Sequence, residues 1–135
     1  MSPCVIDSSA WVSAVVPEDR RGGRVLRELA EFDEWFVPDA FDLEVLYALR
    51  VRMMRGSITA RDLLHQAEAL SRIPIERMST SFLNLRIAAL SSSVSTYDAA
   101  FVAVAELIDA PLITTDARLA RAPGPRCEFL LVEAN

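Results

Sequence analysis

Four acidic residues stand where their neighbours disfavour charge. Asp7 closes the apolar run Val5-Ile6, and Glu44 interrupts Leu43-Glu44-Val45-Leu46-Tyr47-Ala48-Leu49. Asp98 precedes an unbroken apolar stretch from Ala99 to Ala105, and Asp116 follows Leu112-Ile113-Thr114-Thr115. Glu44 is the least expected, because at helical spacing it shares a stripe with Phe41, Ala48 and Val51. Ionised carboxylates gathered from separate elements repel, and burying an unpaired one is costly unless a cation or hydrogen bonds offset it. A divalent metal would resolve the conflict. Oxygen-only ligands suit the hard ions Mg²⁺ and Mn²⁺, and Mg²⁺ takes few carboxylates directly while keeping several waters. Metals held this way suit phosphodiester hydrolysis: they lower the pKa of a bound water, polarise the phosphoryl oxygen and steady the leaving oxyanion. Such hydrolysis would leave a 5′-phosphate and a 3′-hydroxyl.

Each acid taken alone also has a plain structural role. Asp7 before Ser8-Ser9-Ala10 could be a helix N-cap, Asp98 a first-turn acid answering the helix dipole, and Asp116 the start of a turn. Glu44 could pair with Arg52 or Arg55, although its apolar neighbourhood makes this the weakest of the four alternatives.

The elements that must position these acids alternate in type. Short β-like runs at residues 4–6, 35–37, 74–78, 112–115 and 128–132 are separated by helical patterns at 9–16, 21–31, 40–55, 60–72, 81–90 and 96–108, with a short turn from 117. Alternation of this kind predicts an α/β fold with a parallel five-stranded sheet flanked by helices. Thr59 with Asp62 predicts a capped start for the fourth helix, Asp39 after Pro38 a cap for the third, and Gly56-Ser57 a break between them. The helix over 96–108 is apolar nearly all round and is expected to be buried. Ligands of such sheets bind beyond the carboxyl ends of the strands, which puts Asp7 and Asp116 on one edge.

Composition narrows the classes. The 135 residues suit one compact domain spanning the chain. A hydrophobic share of 52% with a mean hydropathy of +0.24 implies heavily buried elements or an additional apolar interface, so oligomerisation or a tight partner is expected. No apolar run approaches the roughly 18 residues a membrane span needs, and the expected location is the cytoplasm. Cys4 and Cys127 read as core thiols in or beside strands rather than as a disulfide or metal pair. All 14 basic side chains are arginine, and the net charge of −5 argues against broad electrostatic capture of nucleic acid. Any contact with RNA must then use local arginines and bound cations.

The ordered set of motifs carries a resemblance. Val5-Ile6-Asp7-Ser8-Ser9-Ala10-Trp11-Val12 resembles the opening of PIN domains, especially the bacterial VapC-type toxins. Val37-Pro38-Asp39 through Leu43-Glu44-Val45 to Ala48-Leu49-Arg50 resembles their second motif, the stretch from Thr96 to Glu106 around Asp98 their third, and Leu112 to Ala120 around Asp116 their fourth. The resemblance implies a three-layer α/β/α sandwich around the parallel sheet, Mg²⁺ or Mn²⁺ at the acidic site, and endonucleolytic cleavage of RNA. It implies Asp7, Glu44, Asp98 and Asp116 as catalytic metal-site acids, with the hydroxyls of Ser9 and Thr115 as partners for metal-bound water. It further implies a VapB-type antitoxin that wraps the toxin and enters its groove, and a homodimer is the expected assembly.

The remaining candidates divide unevenly. Arg118 and Arg121, close behind Asp116, could contact RNA phosphates or lie solvated on the surface. Arg50, Arg52 and Arg55 form a second cluster better read as surface, and Trp11 and Trp35 are better read as packing than as base-stacking groups. His65 has no second histidine to cycle protons with, and no glycine-rich phosphate loop occurs. Phosphoacceptor receivers and haloacid-dehalogenase-like phosphatases resemble this pattern of acids but use a lysine, which this chain lacks. The alternatives that remain are a PIN nuclease of RNA maturation without a toxin role, and a silent PIN-like module that binds protein or RNA.

Overall fold

A computed structural model describes residues 2–134. Five strands, β1 (Pro3–Ile6), β2 (Glu34–Pro38), β3 (Ile75–Met78), β4 (Leu112–Thr114) and β5 (Phe129–Leu131), form one sheet in the order β3-β2-β1-β4-β5. All four pairings are parallel. Each connection therefore crosses over through helix: α1 (Ser8–Val15) and α2 (Gly22–Leu29), then α3 (Phe41–Met54) and α4 (Ala60–Arg72), then α5 (Asn84–Leu90) and α6 (Thr96–Ile108). A one-turn helix α7 (Ala117–Ala120) joins β4 to β5. The result is a three-layer α/β/α sandwich around a parallel sheet, as expected.

The pattern of burial explains the sheet. Cys4, Val5 and Ile6 in β1 and Leu112, Ile113 and Thr114 in β4 are fully buried, because helices cover both faces of these central strands and no alternation is needed. On one face α6 lies across β1, β2 and β4. Its residues from Ala99 to Ala105 are all buried, with the alanines allowing close approach to the sheet. Trp11, Phe41 and Phe101 join α1, α3 and α6, with ring centroids 6.4 and 6.3 Å apart in edge and tilted arrangements. Trp35 packs edge-on to Trp11 and donates its indole N–H to the carbonyls of Leu29 and Phe32, so both tryptophans are packing residues.

Three expectations change at element ends. The helix expected over 81–90 begins as a 3-10 turn at Ser81–Leu83 before α5. Asp39 does not cap α3: the N-cap is Ala40, with no side-chain hydrogen bond, because Asp39 instead donates its backbone N–H to Met78 and extends the β2–β3 pairing. Cys127 lies outside β5 and is half-buried. Thr59 and Asp62 do form a reciprocal capping box at α4, and Gly56 takes φ of 83° in the turn between α3 and α4, where a side chain would be strained.

Gly22 matters for a different reason. A Cβ there would stand 2.7 Å from the Ser13 carbonyl oxygen, so the start of α2 abuts the backbone of α1. Gly22→Ala is expected to push the two helices apart and destabilise the protein by about 1–3 kcal/mol. Urea unfolding monitored by circular dichroism would check this, with an unchanged midpoint counting against it.

Candidate active site

The strand order reverses at β1. From there the chain builds outward to β2 and β3 on one side, and to β4 and β5 on the other. Ligands of parallel sheets settle at such a switch, beyond the carboxyl ends of the strands. Asp7 leaves β1 and Asp116 follows β4 with one residue between, so the two acids occupy this edge. A cleft of about 1100 Å³ opens there, and its lining includes Ser8, Ser9, Glu44, Asp98 and Thr115.

Asp7 lies beneath that lining and is 2% exposed. It occupies the N-cap position of α1 but makes no side-chain capping bond, which removes the plain structural role. Its Oδ2 instead accepts from the hydroxyls of Ser9 (2.5 Å) and Thr114 (2.7 Å). Burial pushes its pKa up to about 6 against the pull of these two bonds, and the charges of Asp98 and Asp116 push it further. That displacement from 3.8 corresponds to a cost on the order of 3 kcal/mol for the ionised form.

Glu44 enters from α3. Its Oε1 accepts from the Ser8 hydroxyl at 3.0 Å, while Oε2 is buried and makes no hydrogen bond. Desolvation raises its pKa to about 7, with the Asp7 and Asp98 charges adding to the effect. No ion pair joins it to Arg52 or Arg55: Arg52 donates to the Ala48 carbonyl of its own helix. Asp98 stands in the first turn of α6, whose N-cap Ser95 accepts from the Asp98 backbone N–H at 3.1 Å. Burial and then the Asp116 charge raise its carboxyl above the usual range, opposed by a side-chain bond to Ser95. Asp116 does cap α7, but both capping bonds, from the N–H groups of Arg118 and Leu119, fall on Oδ1. Oδ2 is left without a hydrogen bond among the described residues.

The four predicted acids are thus close enough to repel one another, although they are not packed as a finished ligand cage. Among the described residues no three His, Cys, Asp or Glu side chains form a ready-made metal group. Mg²⁺ does not require one, since it commonly takes one or two carboxylates and fills its octahedron with water. The orphaned Oε2 of Glu44 and the all-oxygen donor set fit a hard divalent ion.

Of the two expected hydroxyl residues, both Ser9 and Thr115 line the cleft, and Ser9 donates to Asp7. Thr114, fully buried at the end of β4, supplies the hydroxyl to Asp7 and also accepts the Asp116 backbone N–H at 3.0 Å. Thr115 contributes its backbone N–H to Ser9 Oγ at 3.3 Å. Sequence reasoning misses Thr114 and Ser8. The available signal is strand parity: a polar residue inside a fully buried strand needs a partner. Arg118 and Arg121 are exposed and outside the cleft lining, and Arg121 makes only a 3.9 Å surface pair with Glu133. Arg50 and Arg52 do line the cleft on its α3 wall, beside the apolar side chains Leu43, Tyr47, Leu63 and Leu64. His65 is exposed on α4.

A parallel sheet in this order, with Glu44 of α3 and Asp98 of α6 lining one cleft and Asp7 and Asp116 at the same edge of the sheet, defines a class of protein that has known members. The sequence matches the family described as PIN domain over residues 4–125, and the chain belongs to that family. It is of the VapC type: it is 35% identical over 133 residues to ribonuclease VapC1 of Mycobacterium tuberculosis, covering 98% of this chain and 99% of that protein. The fold is similar to the crystal structure of VapC20 from M. tuberculosis, described as a sarcin-ricin loop cleaving toxin, with a TM-score of 0.68 at 16% identity over 88% of this chain and 93% of that one. It is equally similar to FitAcB from Neisseria gonorrhoeae, with a TM-score of 0.68 at 11% identity over 94% and 96%.

Two outcomes follow from this geometry. Asp7 and Glu44 hold their protons more tightly in the fold than their reference values of 3.8 and 4.5. The stability they contribute is therefore full below about pH 4 and is lost as the pH rises through about 6 to 7. In chelator-treated protein, the difference in unfolding temperature between Asp7→Asn and wild type should shift in favour of the variant between pH 4.5 and 7.5; a pH-independent difference would contradict it. Thr114→Val should weaken Mn²⁺ binding by about 10–100-fold through loss of the hydroxyl that orients Asp7, read by isothermal titration, and unchanged affinity would refute the orienting role.

Proposed function

We propose that the chain is a Mg²⁺- or Mn²⁺-dependent endoribonuclease and the toxin of a VapBC pair. The observation that carries this reading is the buried Glu44 oxygen without a partner, set among carboxylates that raise one another's pKa at the switch of the sheet. The full-length relatives named ribonuclease VapC support RNA as the substrate.

In this reading Asp7, Glu44, Asp98 and Asp116 hold the cation. When bound, the ion would activate water and neutralise charge developing on the phosphodiester. The chain's own contribution is to fix the acids. Ser9 and Thr114 together orient one oxygen of Asp7, Ser8 orients Glu44, and the α7 cap ties down one oxygen of Asp116 while leaving the other. Each acid is carried by a different element of a packed core, so their spacing is set before any substrate arrives. Burial discourages the ionised forms, which makes cation capture favourable in proportion.

An antitoxin of the VapB type is proposed as the partner, with the apolar α3–α4 wall of the cleft available to it, and the assembly is proposed to include a homodimer. Leu43, Tyr47 and Leu64 there are 74, 69 and 72% exposed, too much apolar surface on one wall to be explained by the core.

Asp98→Asn should retain the fold and lose cleavage by about 100-fold or more. The check is induction of wild type and Asp98→Asn in bacteria lacking an antitoxin, with new 5′-phosphate RNA ends mapped across the transcriptome. Growth arrest and discrete new ends for wild type alone are expected. Equal cleavage by Asp98→Asn would sink the site assignment, and new ends without arrest would replace the toxin reading with RNA maturation.

A further inference from the structure

RNA is a polyanion, yet the cleft is lined by acids on a chain of net charge −5. A fixed cation beside the acids is needed to hold the phosphate backbone in register. Three arginines line the cleft: Arg21, Arg50 and Arg52. Arg50 and Arg52 lie six and eight residues beyond Glu44 on α3, about 9 and 12 Å further along the helix axis. Arg21 is attached to the acidic edge itself. Its Nη1 donates to the Thr115 carbonyl at 3.5 Å, the Thr115 N–H donates to Ser9 Oγ, and Ser9 Oγ donates to Asp7.

Arg21 is also held unusually firmly for a surface arginine. Its Nε and Nη2 meet Asp19 Oδ1 and Oδ2 at 2.9 and 2.8 Å, a two-pronged pair, and its backbone N–H returns to Asp19 Oδ1 at 2.9 Å. The Asp19 side chain is only 12% exposed, and its carboxyl is held well below the usual range chiefly by the Arg21 bond. A guanidinium has five N–H groups. Two go to Asp19 and one to Thr115, so two remain in a head whose direction is already set.

Resting on the nuclease reading above, we propose that Arg21 is a phosphate-contacting residue of this cleft, donating its two remaining N–H groups to a backbone phosphate of the RNA next to the acids. Asp19 acts through it as a positioning residue. Asp19 removes much of the long-range charge of Arg21 but leaves the fork, so the contact selects a phosphate already in the cleft rather than attracting RNA from a distance.

The test is binding of a single-stranded RNA oligonucleotide, followed by fluorescence anisotropy across a salt series, in an Asp98→Asn background that does not cut it. Loss of one phosphate contact should lower the slope of log affinity against log salt by about 0.7. Adding Arg21→Gln is expected to do this while leaving the Mn²⁺ affinity unchanged. Arg21→Lys keeps the charge and should keep the slope. In otherwise wild-type protein its kcat/KM should fall about tenfold, because an ammonium cannot span Asp19, Thr115 and a phosphate. An unchanged slope in Arg21→Gln would overturn the proposal, and a lower unfolding temperature beside it would make Arg21 a clasp for the α1–α2 loop. Wild-type kcat/KM in Arg21→Lys would overturn it as well, and that variant remains decisive even if Arg21→Gln does not fold. RNA neither bound nor cut by the wild-type protein would instead remove the nuclease reading on which the proposal rests.

Discussion

A carboxyl group at the tip of the central strand sets the terms for the rest of the molecule. Asp7 sits where β1 runs into α1, and five strands and their helices enclose it so completely that 2% of its surface remains. Two hydroxyls from elements far apart in the chain, Ser9 of α1 and Thr114 of β4, meet on one of its oxygens. Those bonds partly offset the loss of water and do not overcome it, which is why the group stays hard to ionise. The site carries stored electrostatic cost.

The surrounding architecture serves to impose that cost. β1 from Cys4 onward and all of β4 are buried, so the residues at their carboxyl ends cannot swing outward to solvent. α6 is clamped against three strands by a run of small and branched apolar residues, and this holds Asp98 at its N-terminal turn. α3 brings Glu44 in from the side, anchored by Phe41, Val45 and Leu49. Repulsion among the acids is resisted by hydrophobic packing at the base of each.

The same arrangement separates two kinds of polar residue. Arg86 with Glu106, and Arg77 with Asp42, join elements through charge-assisted pairs away from the cleft and finish satisfied. Among the described residues Glu44 finishes with one buried oxygen unsatisfied, and Arg21 finishes with donors to spare. Polar groups that a fold leaves incomplete, in a place where it could have completed them, are the ones available to a ligand.

Most of the frame was legible in the chain alone. Five strands, the capping box at Thr59, the buried character of α6 and the four acids all follow from local rules: apolar period, turn chemistry, and charges set in apolar runs. The Asp39 cap failed because a neighbouring strand claimed its backbone, a competition invisible to local sequence. Whether Asp7 caps a helix or waits for a cation is likewise undecidable from Asp-Ser-Ser, since both uses want the same residue in the same place. The tertiary structure leaves Asp7 without a capping bond and brings Thr114 within 2.7 Å of it across more than a hundred residues of chain. It also set the Thr114 hydroxyl on Asp7 and put Arg21 in the cleft lining while leaving Arg118 and Arg121 outside it, because side-chain direction and the path of a loop depend on packing between distant elements. Sequence determined which chemistry was possible here; only the closure of the sheet determined which atoms would be left to do it.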